Sequence, residues 1–241
     1  AYSNVRRFIN QGTFPPVDAI RTEEFLNYFT YNYPAPQEKD PVSITTEVSN
    51  APWNTQHKLV HIGIKAKEVS TDNLPASNLV FLIDVSGSMS DANKLPLLKS
   101  SLKLLVKQLR PQDRVAIVTY ANHTKEVLAS TPGSDKAKIL DAIDGLYASG
   151  GTAGGDGIQR AYRVAESNFT KGGNNRIILA TDGDFNIGIS SPRELEKMIE
   201  TKRTSGIYLT VLGFGMGNYK EYFNIYGKRF AQKAVEIFNK I

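Results

Sequence analysis

The chain has 241 residues, 41% of them hydrophobic and 22% charged, and Lys plus Arg outnumber Asp plus Glu by 29 to 24 for a net charge of +5. That length and composition suit one large α/β domain, or a domain of common size with an extension, and exclude disorder as the overall state. The absence of cysteine removes disulfides, thiol catalysis and thiolate zinc sites together. The basic excess is modest and scattered; it favours acidic partners, anionic glycans or a membrane surface, and forms no nucleic-acid-binding stripe.

The opening, Ala1-Tyr-Ser-Asn, has no initiating methionine and no signal-like segment. Two helical pieces are expected in the first 36 residues: Asn4 to Asn10, stopped by Gly12 and Pro15-Pro16, and Arg21 to Tyr31, with Thr22-Glu-Glu at its first turn and Phe25, Leu26, Tyr28 and Phe29 on an apolar face. Tyr33-Pro-Ala-Pro is a turn. Val42 to Val48 and Lys58 to Lys67 alternate as antiparallel strands with one wet side, with Trp53 between them as a plug over a small core. Ser70 to Ser77 leads toward the first core strand, so residues 1–77 are expected to form a helical and β accessory region.

From Leu79 strands and helices alternate. Leu79 to Ile83 is an apolar run of the kind buried on both sides in a parallel sheet. Helix Lys94 to Leu109 is predicted to turn Leu97, Leu98, Leu102, Leu105 and Leu109 inward. Strand Arg114 to Ala121, edge strand Lys125 to Ser130 and helix Asp135 to Leu146 follow, the last with Ala137, Ile139, Leu140, Ile143 and Leu146 inward. Helix Gly157 to Phe169, strand Arg176 to Thr181, helix Pro192 to Ser205 and strand Ile207 to Phe214 complete the series. Strict alternation predicts an α/β fold over residues 78–220: a doubly wound, mostly parallel sheet with helices on both faces and right-handed crossovers. Residues 221–241 form an amphipathic segment of uncertain attachment, with Phe230, Ala234, Ile237, Phe238 and Ile241 on one face.

Asp84, Ser86 and Ser88 leave the first core strand at alternate positions on a loop containing Gly87, where open parallel sheets carry ligand sites. All are hard oxygen donors, which suits Mg²⁺, with Mn²⁺ or Ca²⁺ as alternatives, rather than zinc. Three oxygens are too few for such a cation. Two later stretches can supply the rest: Thr152 in the glycine-rich loop Ser149 to Gly157, and Asp182 at the end of a second buried strand. Asp91, Asp156 and Asp184 are secondary candidates, Asp156 being expected to face its own helix N-terminus. Taken singly, Asp84, Ser86 and Ser88 could cap the following helix and Asp182 could turn the chain. His57, His61 and His123 have no zinc-pair spacing.

The five residues Asp84, Ser86, Ser88, Thr152 and Asp182 resemble, in order, the metal-ion-dependent adhesion site of von Willebrand factor type A domains. Tyr2-Ser-Asn-Val-Arg-Arg-Phe, Val17-Asp-Ala-Ile-Arg-Thr-Glu-Glu, Leu109-Arg-Pro-Gln-Asp-Arg-Val and Gly172-Gly-Asn-Asn-Arg-Ile-Ile-Leu-Ala-Thr-Asp-Gly-Asp are similar to a bacterial subfamily of exported proteins and lipoproteins. The resemblance implies a Rossmann-like fold and a cation bridging the protein to a Glu or Asp carboxylate of a protein ligand, or to a glycan, with no bond broken. It also implies exchange of Thr152 for Asp182 as direct ligand when affinity changes. An extracytoplasmic setting is implied too, periplasmic or at the bacterial cell surface, with any membrane anchor in a segment outside these residues. After Lys220 the sequence departs from the subfamily's pattern, running through Tyr222-Phe-Asn-Ile-Tyr-Gly.

The function expected is a metal-dependent binding and adhesion module, not an enzyme. The alternatives are a scaffold with a structural cation whose partners dock on the accessory layer and, third, a metal-assisted phosphohydrolase. Against the last, Ser86 stands where a phosphoryl-transfer loop would carry a second carboxylate, the glycine loops lack a Gly-Lys-Ser/Thr, and no Gly-x-Ser-x-Gly occurs.

Overall fold

A computed structural model describes residues 2–68, 74–151, 156–183 and 192–215. The chain divides into two units, Ala1–Asn73 and Leu74–Ile241.

In the first unit α1 spans Tyr2–Asn10 and α2 only Thr22–Leu26, much shorter than the expected Arg21 to Tyr31. Helix α2 ends at Asn27, whose backbone N–H and Nδ2 both donate to the Glu23 carbonyl, at 3.0 and 2.8 Å. Phe25, Tyr28 and Phe29 then gather around the Tyr2 ring, at centroid distances of 5.4, 4.1 and 5.6 Å. The Thr22 side chain caps nothing; the N-cap position is Arg21, whose guanidinium reaches Glu24 at 2.7 Å.

Strands β1 (Val42–Ala51) and β2 (Asn54–Ala66) pair antiparallel, Ile44 opposite Ile64 and Val48 opposite Val60. The two faces reverse the usual burial. Tyr33 covers the face bearing His61 and Gly63: its hydroxyl bonds His61 Nε2 at 2.8 Å, and a Cβ on Gly63 would lie 2.5 Å from the ring, so only glycine admits it. The apolar face, with Ile44, Val48, Val60, Ile62 and Ile64, is exposed. Trp53 sits in the hairpin turn and is 73% exposed, so it is not a plug.

The second unit carries a sheet of order β5-β4-β3-β6-β7, built from β3 (Ser77–Asp84), β4 (Arg114–Tyr120), β5 (Thr124–Pro132), β6 (Asn174–Thr181) and β7 (Ile207–Gly213). All neighbours pair parallel except β4 with the edge strand β5. Alternation along β3 splits the core in two. Leu79, Phe81 and Ile83 pack against α3 (Leu95–Gln108) and α4 (Lys136–Asp144), whereas Val80 and Leu82 pack against α5 (Gly157–Ser167). Met198 of α6 (Pro192–Thr204) joins the second cluster, so helices cover both faces as expected.

Helix α3 buries Leu95, Leu98, Leu102 and Val106, while Leu97 is 48% exposed. The stripe is thus rotated from the one predicted, because Leu95 as well as Leu98 fits the sheet. On α4 Ala137 is likewise outside, and Asp135 caps the helix by accepting from the Lys138 N–H.

Candidate metal centre

Strand β3 lies between β4 and β6, and the chain leaves β3 toward β4 but later returns to the opposite side at β6. The carboxyl ends of β3 and β6 therefore flank a topological switch point, the crevice where doubly wound sheets bind ligands. Asp84 is the last residue of β3, and Asp182 follows the last residue of β6. Both are nearly inaccessible, at 0% and 4% exposure.

The loop after β3 is fixed at several points. Asp84 Oδ1 accepts the Ser86 N–H at 2.9 Å, closing a tight turn, and Oδ2 accepts from the Tyr120 hydroxyl at 3.3 Å and from Thr181 Oγ1 at 3.4 Å. Met89, fully buried in the α3 side of the core, anchors the 3-10 turn Gly87–Ser90. Ser86 Oγ and Ser88 Oγ stand 3.0 Å apart, Ser86 buried and Ser88 open to solvent. Neither hydroxyl is spent on helix capping: Ser86 makes no side-chain cap bond, and α3 begins later, behind Lys94. The simple capping explanation of these serines therefore fails.

The glycine loop is fastened beside them. Ser149 N–H donates to the Val85 carbonyl at 2.7 Å and Gly87 N–H to the Gly150 carbonyl at 2.9 Å. Gly150 has φ +77°, a conformation glycine adopts freely, and lies against Asn122, whose Oδ1 accepts from Gly151 N–H at 2.7 Å. Thr152 comes next in sequence but, like Asp184, lies outside the described residues.

Lys94 is a member of the cluster that the sequence pattern did not single out. Its ammonium bridges the Ser88 carbonyl at 2.8 Å and Asp182 Oδ2 at 2.9 Å, with Asp91 Oδ2 at 3.7 Å. The helical periodicity assigned Lys94 to the start of α3, and nothing in that pattern aims its side chain inward. Asp91 thus stands at the rim. Asp156 stands at the N-cap of α5, the helix N-terminus it was expected to face, and its carboxylate accepts from Thr124 Oγ1 at 2.7 Å rather than from an N–H of the helix. His57 and His123 are exposed and His61 is held by Tyr33.

Electrostatics follow from burial. Desolvation pushes the Asp84 carboxyl up; hydrogen bonds from Ser86 oppose this, the Asp182 charge adds to it, and the Tyr120 hydroxyl opposes it, leaving the group above its ordinary value. Burial, reinforced by the Asp84 charge, drives the Tyr120 phenol well above its usual range, so it serves as a donor. The Lys94 ammonium is raised chiefly by its bond to Asp182.

Among the described residues no three His, Cys, Asp or Glu side chains gather as a metal-holding group. The donors here are of another kind, two hydroxyls and two carboxylates. Adjacent ligands of an octahedral ion at about 2.1 Å are separated by about 3.0 Å. The Ser86 and Ser88 hydroxyls have that spacing, so the pair matches one edge of such a shell.

Comparison of the sequence assigns this doubly wound fold to a class: residues 78–238 match the von Willebrand factor type A domain, and residues 1–61 match a companion region described as von Willebrand factor. The chain belongs to the von Willebrand factor type A domain family, whose members are commonly protein-interaction and adhesion modules. The match extends through most of the C-terminal segment that departs from the subfamily's pattern, which itself lies outside the described residues.

Among particular relatives, the uncharacterized protein YfbK of Escherichia coli is 50% identical over 228 residues, 92% of this chain and 40% of YfbK. Inter-alpha-trypsin inhibitor heavy chain H4 of Homo sapiens is 30% identical over 148 residues, 57% of this chain and 16% of that protein. The chain thus spans less than half the length of these relatives. A crystal structure of the conserved hypothetical protein BatB from Bacteroides thetaiotaomicron is 25% identical with a TM-score of 0.47, covering 57% of this chain and 66% of that one.

Proposed function

We propose that the second unit is a divalent-cation-dependent binding module that captures an acidic group on a protein partner. The ion would be held by Ser86, Ser88, Thr152, Asp84 and Asp182, with Mg²⁺ as the favoured cation. The observation that carries this is the pair of serine hydroxyls 3.0 Å apart, one buried and one open to solvent, backed by two buried carboxylates at the switch point. Mg²⁺ is a hard cation that releases water reluctantly and retains open positions, so when bound it would offer a Lewis-acidic coordination site to an incoming carboxylate. The protein's own part is to hold the donors in place, through the Asp84 turn and the Met89 anchor, and to aim Ser88 outward. An extracytoplasmic, bacterial setting and a glycan as alternative ligand accompany the proposal from sequence resemblance.

A partner-capture assay tests it. Wild type in millimolar Mg²⁺ retains a partner that EDTA releases, and the Ser86→Ala/Ser88→Ala protein retains none. Equal capture by both proteins removes the adhesion role. One observation favours the scaffold alternative, with partners on the first unit: the exposed apolar face of β1 and β2, from Ile44 to Ile64. Capture that ignores EDTA but is lost on Ile62→Lys would select it.

A further inference from the structure

Lys94 reaches the site from the start of α3, and its side chain is only 11% exposed. Its ammonium holds Asp182, whose side chain is 1% exposed, and its stem runs under Gly215, where an added Cβ would lie 2.6 Å from Lys94 Cε. A buried ion pair gains little net stability, because desolvating both charges consumes most of their attraction. A lysine held in this way beside a cation site therefore calls for an electrostatic explanation. Asp84 and Asp182 carry two negative charges; Lys94 offsets one. Among the described residues Asp91, with its Oδ2 3.7 Å from the ammonium, is 67% exposed and largely solvated, so it counts for less.

We infer that Lys94 sets the charge of the site: by offsetting Asp182 it loosens the hold on the cation and leaves the loaded site net positive, which selects a carboxylate-bearing partner. This rests on the proposed metal-binding role. With Lys94, a divalent ion brings the cluster of Asp84, Asp182 and Lys94 from −1 to +1. Without it the same ion brings the cluster from −2 only to zero, and the long-range attraction for an acidic ligand is gone. Like-charge repulsion between ammonium and cation would also weaken metal affinity in the wild type, since the Lys94 side chain is only 11% exposed and water screens it little.

Two opposite shifts distinguish this role from simple support of the loop. Calorimetric titration with Mn²⁺ alone is predicted to show affinity at least about tenfold tighter for Lys94→Gln than for wild type, with Lys94→Arg within about threefold of wild type. Lys94→Met is the second neutral variant should Lys94→Gln not fold, and it must tighten likewise. The metal-free melting temperature falls in the neutral variants, and the rise on adding Mn²⁺ exceeds that of wild type. Acetate, followed through the loss of water proton relaxivity as it displaces Mn²⁺-bound water, binds the loaded wild type more tightly than loaded Lys94→Gln. Neutral variants that bind Mn²⁺ no better than wild type, or bind acetate equally well, overturn the inference while leaving the metal site standing. A wild type that takes up no Mn²⁺ removes both.

Discussion

Asp113 latches the entry of β3 to the loop before β4, and its removal has a calculable cost. The carboxylate is 4% exposed and accepts four hydrogen bonds: Ser77 N–H at 2.9 Å, Arg110 N–H at 2.8 Å, and Arg110 Nε and Nη2 at 3.0 and 2.8 Å. The same guanidinium donates to the Leu74 and Pro75 carbonyls, each at 2.7 Å. Breaking a buried pair typically costs 3–5 kcal/mol, but the Arg110 side chain is 28% exposed and can recover water, so Asp113→Ala should cost about 3 kcal/mol. Burial alone would raise the Asp113 carboxyl, yet its bonds to Arg110 and Ser77 outweigh it and hold the group below its ordinary value. A carboxyl lowered on folding stabilises the fold fully above the ordinary carboxylate range and loses that contribution as pH falls through its folded value. Urea unfolding followed by far-UV circular dichroism should therefore show the full deficit of Asp113→Ala near pH 7, narrowing as the pH drops below the usual carboxylate range. A deficit under about 1 kcal/mol at pH 7, or one that widens in acid, would refute the latch.

The rotated face of α3 gives a paired test: Leu98→Ala should cost about 2–5 kcal/mol in the same unfolding assay, and Leu97→Ala less than about 0.5 kcal/mol. Equal costs would restore the face that simple periodicity suggests. Gly133→Ala places a methyl 2.3 Å from the Arg110 carbonyl oxygen, so the backbone must shift, and a loss of about 1–3 kcal/mol is expected. Ser86→Ala/Ser88→Ala should leave the metal-free melting temperature within a few degrees of wild type and abolish its rise with Mg²⁺, whereas Lys94→Gln should enlarge that rise.

The order and type of elements in the second unit were legible because two periods are sharply written there. Leu79 to Ile83 is too short and too uniformly apolar for anything but a doubly buried strand, and α5 repeats its buried positions on one stripe. Asp84 and Asp182 could be placed at the carboxyl ends of two buried strands because each closes an apolar run, and Ser86 and Ser88 follow Asp84 on the same loop. Other features depend on tertiary contacts that a local pattern does not encode. Lys94 looks like an ordinary first-turn lysine until Asp182 arrives from a strand 88 residues away. Leu97 and Leu98 share one local hydrophobic signal, and only the sheet's position selects between them. In the first unit the alternation of β1 and β2 was read correctly as paired strands. It gave no warning that Tyr33 would cover the polar face, or that α2 would end at Asn27 with its side chain bonded to the Glu23 carbonyl.

The proposed site requires Ser86 and Ser88 to ligate one divalent ion jointly. Crystals grown in millimolar Mn²⁺ and measured at the manganese absorption edge test this most directly. A single anomalous peak about 2.1 Å from both hydroxyls, with a coordination position facing solvent, is the predicted result. A map with no peak there, and with the two hydroxyls still bonded to each other at 3.0 Å, would contradict it.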